Sequence, residues 1–514
     1  MGDTNLDLLV DWNNDGDFAD TGEDITSRTL SVEWQYGRDY ASQLMGKSVG
    51  GKLKALLNNE SGDYNSFNTS SPLSGNIRPG RKVQLRAFGL FPYDFTFSFS
   101  KPVWTGFLDR ITPQPRVNGV NTASLEAVGP LGYLNQKEVQ VDQTTDVLTG
   151  AAIGNILDAA GWPSGDRDLD DGQSTIARHW VDRQKTLVAL RGVEEVEGGF
   201  IAEKPDGSIA FQDRQFRLKD PQTVSQATFT DADGAALGYS FIEQLDPLPF
   251  IFNEFEAEVK TFTVGSLAVM WTLSETGANS PFLAPGQTRL FIARHPNPDS
   301  ATKNVGVALW TSPASTTDYT ANAASDGSGT DLTSSMGVTQ VKKSNAMEIT
   351  VVNNGTIPAY LTKLQGRGLP IESDDPVRHV ASDASSQTEF GQRTFQNRIA
   401  FSDIDEANDW AEYNLSIYKD PIPIMQITFA ASRDADHHEQ AMGRDISDRI
   451  TLVANRSGGT ELGINADFFI ESIRHVVSQS HAHWITWRLS PATGYSNFWL
   501  LGTSKLDSET ALAY

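Results

Sequence analysis

The segment LVDWNNDGDFADTGEDIT, residues 9–26, carries a dense set of oxygen donors. Asp11, Asn13, Asp15 and Asp17 alternate around Gly16, the pattern of the first half of a calcium loop. Such a loop needs a bidentate acid at its twelfth position; here that position is Gly22, and Glu23 comes one residue late. The flanking LLV and FAD read as strands rather than as the helices of an EF-hand. Clustered carboxylates repel one another unless a cation or backbone N–H groups compensate. Two readings follow: a structural calcium held by Asp11, Asn13, Asp15, Asp17 and Glu23, or an Asp-rich turn without metal. Neither is catalytic.

Other chemistry-bearing residues are sparser. His481 and His483 share one face of a strand, but two ligands do not make a metal site, and SHAHWITW reads as a surface turn leading into a strand. His438-Glu439 lacks the second histidine of a zinc-protease motif and reads as a loop or helix start. Trp104, Trp410, Trp484, Trp487 and Trp499 could stack on sugars, yet their places in alternating or helical patterns assign them to core or subunit contacts. Glu194 and Glu195 are adjacent on a helix, so they point in different directions; a solvated face is expected for them rather than an acid pair across a substrate. No serine-triad signature and no phosphate-cradling Gly loop occurs. The chain has no cysteine, which excludes disulfides, thiolate metal sites and cysteine nucleophiles.

The elements that must position these residues are mostly strands. At 514 residues the chain is too long for one core, and 43 Gly and 23 Pro favour short strands and turns. No apolar run approaches the ~20 residues that span a bilayer. MGDTNLDLLV lacks a basic segment leading into an apolar one, which predicts no secretory signal. The net charge of −24 disfavours sequence-specific nucleic-acid binding. Period-two alternation, turn residues and helical spacing divide the chain into an acidic β-hairpin segment (1–27), an antiparallel β-barrel or sandwich (28–136), a small α/β domain (137–240), an immunoglobulin-like β-sandwich insertion (255–370), and a helix followed by a second barrel (371–514). Within these, TGAAIGNILDAAGWP is a predicted helix capped by Thr149, DIDEANDWAEYNLSIYKDP one capped by Asp405, and FIAEKPDGSIAFQDR a hairpin around Pro-Asp-Gly. The fold class expected is mainly β with a smaller α/β part.

The first and last parts repeat each other. Lys82, Val83, Leu85 and Ala87 line up with Arg449, Ile450, Leu452 and Ala454; Phe107, Leu108, Asp109 and Ile111 line up with Phe469, Ile470, Glu471 and Ile473. Parity is preserved, so equivalent side chains face the core in both copies, where a one-residue slip would reverse them all. KLKALLNN and IMQITFAAS precede the two copies, while SLEAVGP and TWRLSP match only roughly. Two similar barrels in one chain suit symmetric assembly: three chains present six equivalent units around an axis.

The sequence resembles the tail hub proteins of tailed bacteriophages. The resemblance rests on LLNNESGDYNSF (56–67), RPGRKVQL (78–85), VWTGFLDRI followed by SLEAVGPLGYL, LTGAAIGNILDAAGWP, FIAEKPDGSIAFQDR, SSQTEFGQRTF (385–395) and the closing WLLGTSKLDSETALAY, in that order. It covers the chain except roughly 262–365, which departs from the minimal pattern and is expected to be a peripheral decoration. The resemblance implies a non-enzymatic homotrimer at the virion tail tip that adapts sixfold tube symmetry to threefold and closes the tube. The implied partners are distal tail or tube proteins, the tape-measure protein, tip or fibre proteins, and phage DNA in transit. The acidic balance suggests a passage whose negative walls offer phosphates no partner. The rival readings are a glycan-binding tail adhesin and a tail-associated cell-wall hydrolase.

Overall fold

A computed structural model describes residues 6–38, 48, 50–90, 98–245, 248–295, 304–343, 345–401, 403–421, 424–455, 463–478 and 482–492. Trp499, the closing segment to residue 514 and His481 therefore lie outside the described residues. The chain is mainly β, as expected. Twelve strands form one sheet: β1 (Leu6–Val10), β2 (Thr29–Gly37), β3 (Lys52–Asn58), β4 (Lys82–Leu90), β5 (Ser98–Gln114), β6 (Thr122–Val128), β7 (Thr228–Thr230), β8 (Phe241–Leu245), β9 (Ile424–Ala430), β10 (Arg449–Ala454), β11 (Ile464–Val477) and β12 (His483–Pro491). Its order is β1-β4-β5-β6-β3-β2-β11-β12-β9-β8, with β10 on β11 and β7 on β10.

That order contains the repeat. The run β4-β5-β6-β3-β2 is followed by β10-β11-β12-β9-β8, each strand in the place of its counterpart. Lys82 pairs with Phe107, and Arg449 pairs with Phe469. Val83, Leu85 and Ala87 are fully buried, and so are Ile450, Leu452 and Ala454. Even the irregularity recurs. The β5–β6 register skips Asp109 between Leu108 and Arg110, and the β11–β12 register skips Glu471 between Ile470 and Ser472. An extra residue at equivalent points bends both long strands alike.

The two halves meet edge to edge, β2 running antiparallel to β11 from Val32–Val477 to Gly37–Ser472. Gly37 is required there: its φ is +113°, and a Cβ would lie 2.6 Å from the Glu471 carbonyl oxygen. One apolar core runs under both halves, joining Trp34, Leu85 and Leu125 to Phe429, Ile450 and Trp487. Among the described residues no sheet closes into a barrel; the two units expected as separate barrels share one open sheet.

Three smaller cores surround it. Helices α1 (Thr149–Ala159) and α2 (Thr186–Glu197) pack on a two-stranded ribbon and on the hairpin Phe200–Glu203/Ile209–Gln212. Thr149 is not the cap of α1. Leu148 is, and the Thr149 hydroxyl donates instead to Glu197 at 2.7 Å. Between residues 262 and 373, strands of two sheets share a core around Trp310, Met347 and Leu364. Helix α3 (Ile404–Tyr418) covers a three-stranded sheet through Phe255 and Trp410. Its cap is Asp403, whose carboxylate accepts from the N–H groups of Asp405 and Glu406, so the acid expected to cap sits inside the first turn. A fourth helix, α4 (Ala435–Gly443), lies beside the main sheet. No helix among the described residues is long and apolar enough to cross a membrane.

Candidate functional site

The acidic loop leaves β1 and returns at Glu23, whose carbonyl accepts the Val10 N–H. Asp11 is 2% exposed and its carboxylate accepts the backbone N–H groups of Asn14, Asp15 and Gly16. Glu23 is 1% exposed and accepts from the N–H groups of Trp12 and Asp20, both at 3.1 Å. Asn13 bridges Asp15 and Asp20 through its amide. Among the described residues no group of three or more His, Cys, Asp or Glu is placed to hold a metal. Asp11, Asn13, Asp15, Asp17 and Glu23 belong to one hydrogen-bonded turn, in which backbone amides offset the charge of Asp11 and Glu23. The turn fixes Trp12, whose indole N–H donates to the Gly22 carbonyl at 3.0 Å and whose ring meets Tyr64. Replacing Asp11 with alanine leaves the Asn14 and Gly16 amides without their side-chain acceptor, while Asp15 keeps Asn13, and is expected to cost about 2 kcal/mol, read as a lowered thermal midpoint.

The remaining candidates have structural roles. His483 is buried with His475, their Nε2 and Nδ1 atoms 3.0 Å apart, and His475 stacks on Trp34 at 4.3 Å. Burial pushes both imidazoles well below their ordinary range, His483 to about 3, so they are neutral packing groups at the β2–β11 joint. On α4 the neighbouring His437, not His438, makes the defined contacts, with Asp434 and with Gly238. Glu194 corrects the solvated-face expectation: it is buried, and its carboxylate accepts the Ile201 N–H at 2.8 Å. Trp104, Trp410 and Trp487 are buried, while Trp484 is 37% exposed.

The charged centre that the sequence hid lies at the joint. Glu471, the bulged residue of β11, is buried between two guanidinium groups. Arg38 approaches one oxygen at 3.0 Å, and Arg217 binds both at 2.8 and 3.0 Å. Ser490 donates to it as well, and Arg217 also donates to Ser447, which in turn donates to Gln212. Arg38 lies 3.6 Å over the Phe200 ring, and Arg217 lies 4.6 Å from the centre of Phe469. Burial alone would raise the Glu471 carboxyl; Arg217, then Arg38, outweigh it and hold it at about 2. The network ties the end of β2, the segment after the hairpin and β11 into one unit. A second tie comes from Glu203 in the hairpin, which accepts the N–H groups of Gly51 and Leu131, both at 2.6 Å, and which burial pushes up to about 7.

The face of the main sheet opposite its core carries a ladder of charges. Arg110 pairs with Glu126 at 2.5 Å, Lys54 with the same carboxylate at 3.8 Å, and Arg474 with Glu33 across the joint at 2.7 Å. Among the described residues, Lys52, Lys54, Arg110, Arg474 and Arg488 occupy this face against Glu33, Glu126 and Glu243. Cations outnumber anions here, in a chain whose net charge is −24.

The sequence matches no family model and no curated protein. Solved structures do match. A tail protein from Neisseria meningitidis MC58 superposes with a TM-score of 0.50 at 10% identity, over 94% of this chain and 96% of that one. The 43 kDa tail protein of prophage MuSo2 from Shewanella oneidensis gives 0.48 at 9% identity, over 95% and 99% of the two chains. Prophage tail protein gp18 from Listeria monocytogenes EGD-e gives 0.37 at 8% identity, over 94% of each chain. The resemblance read from the sequence motifs thus meets a shared fold along nearly the whole chain: this protein has the fold of the Neisseria meningitidis tail protein.

Proposed function

We propose that the protein is a structural component of a bacteriophage virion, a homotrimeric hub at the tail tip. The observation that carries this reading is the repeat. Two halves of equal strand order, register and bulge position sit side by side in one sheet, so each chain supplies two equivalent arcs of a wall. Three chains then supply six arcs, which continue a sixfold tube and close into the barrel that one chain leaves open. The working division of the chain is the one expected from its sequence, with roughly residues 262–365 as peripheral decoration. Distal tail or tube proteins, the tape-measure protein and tip or fibre proteins are the neighbours this reading assigns.

The role is geometric, not enzymatic. Against the adhesin and hydrolase readings, Trp104, Trp410 and Trp487 are buried and Glu194 is committed to a backbone amide. In this reading the solvated face of the main sheet lines the DNA passage. Its chemistry differs from the acidic wall expected from net charge: cations are present, and Lys54, Arg110 and Arg474 are held in ion pairs, which weakens their hold on passing phosphates. Light scattering on the purified chain, alone or with its tail neighbours, is expected to give three times the 56.1 kDa chain mass, and images should show a ring with a central channel. A monomer under both conditions overturns the reading.

A further inference from the structure

We propose that copies join by pairing the outer edge of β8 of one chain with the Arg110–Gln114 stretch of β5 in the next, in the register that β2 and β11 use within the chain. The inference rests on the ring reading above and specifies its contact.

The chain contains one worked example of the joint. β2 is the last strand of the first half, and it pairs with the part of β11 that extends beyond β10. Its counterpart in the second half is β8, which pairs on one side with β9 and meets no further strand among the described residues. The counterpart of the extended part of β11 is the end of β5. There β4 stops at Lys82–Phe107, and among the described residues Arg110–Gln114 pairs only with β6. Two complementary edges are thus left open at opposite ends of the sheet, and both are solvated: Glu243, Gln244, Arg110, Thr112 and Gln114 are exposed.

The register follows from the cross-strand partners. Leu108 faces Ala127 and Ile470 faces Leu489; Ala127 faces Leu53 and Leu489 faces Met425; Leu53 faces Trp34 and Met425 faces Gln244. Gln244 therefore stands where Trp34 stands, and Glu243 where Glu33 stands. Across the internal joint Trp34 faces His475 and Glu33 faces Val476, whose counterparts are Pro113 and Gln114. Between copies, Glu243 then faces Gln114, Gln244 faces Pro113, and Leu245 faces Thr112. The same register carries Phe241, 66% exposed, to the β5–β6 turn, where Val117 is fully exposed. Two apolar side chains left in water by one copy are brought together by two.

Pro113 gives the joint its character. It offers no N–H where His475 can, so pairing between copies lacks a ladder bond that the internal joint has room for. Proline on an open edge also blocks pairing between two β5 strands, an unwanted association of loose chains. The joint is directional: β8 fits β5, and the contact repeats head to tail until the ring closes.

The absence of cysteine makes the test direct. Under mild oxidation the pair Q114C/E243C is expected to convert most of the protein into covalent trimers on a non-reducing gel, with no higher ladder. The pair E33C/V476C is the internal control and is expected to form a disulfide without change of mass. The pair T112C/E243C, two residues out of register, is expected to link at least tenfold less. A protein that is trimeric by light scattering but unlinked by Q114C/E243C overturns the joint and leaves the ring standing. A monomer both alone and with its tail neighbours overturns the ring and the joint with it.

Discussion

Replacing Glu471 with alanine is expected to destabilise the protein by about 3–5 kcal/mol, the range for removing one partner from a buried ion pair. The reason is the two cations left behind. Arg38 and Arg217 are almost wholly buried, with side-chain exposures of 4% and 3%, and this carboxylate is ion-paired with both. Their rings of contact, Phe200 and Phe469, offset part of the charge at best. The measurement is calorimetric melting of wild type and variant at pH 7, where a loss below ~1 kcal/mol would mean that the guanidiniums find solvent. The pH dependence adds a second readout. Glu471 titrates at about 2 in the folded chain, against an ordinary value of 4.5. A depressed carboxyl stabilises above its unfolded value and loses that contribution as pH falls through its folded value. The difference between wild type and Glu471→Gln should therefore be full above about pH 5 and shrink towards pH 2, by roughly 3 kcal/mol over the window.

Replacing Trp34 with alanine is expected to cost about 3–5 kcal/mol. The indole is fully buried at the centre of the β2–β11 joint, stacked on His475 and tilted against His483. A cavity there removes packing from both halves at once, so the melting midpoint should fall by about 3–5 °C in a chain of this length. The indole nitrogen makes no hydrogen bond within the described structure, so Trp34→Phe keeps most of what the ring contributes. Its loss should be less than half that of alanine, and equal losses in the two variants would place the energy somewhere other than ring packing.

The two halves could be read from the chain because amphipathic strands write their register in period two. Val83, Leu85 and Ala87 and their counterparts Ile450, Leu452 and Ala454 all reach zero exposure, and the alignment of Phe107 with Phe469 places their partners Lys82 and Arg449 alike. Local signals were less exact about ends. Thr149 and Asp405 are good capping residues, but the caps lie one residue before the first and two residues before the second; Asp403 captures the amides of the α3 first turn.

Charge was the least legible property. Net charge says nothing about which side of a sheet a carboxylate occupies, and the solvated face of the main sheet runs against the total of −24. Glu194 looked like a surface acid because it sits beside Glu195 on a helix, whereas the fold turns it towards the Ile201 amide. The Asp-rich loop has the spacing of a metal ligand set, yet its two buried acids are claimed by backbone N–H groups that no side-chain pattern reveals.

By itself the sequence determined the strand-rich class, the exclusion of cysteine chemistry, the parity of the repeated strands and the likeness to tail hub proteins, since each rests on residues near one another in the chain. Tertiary structure alone decided that β2 meets β11, that Arg38 and Arg217 close on Glu471 across 433 and 254 residues, and that complementary edges remain open at the two ends of the sheet. Strand pairing and buried charge are long-range choices, made by whichever edges and partners the whole core brings together, and local spacing carries no record of them.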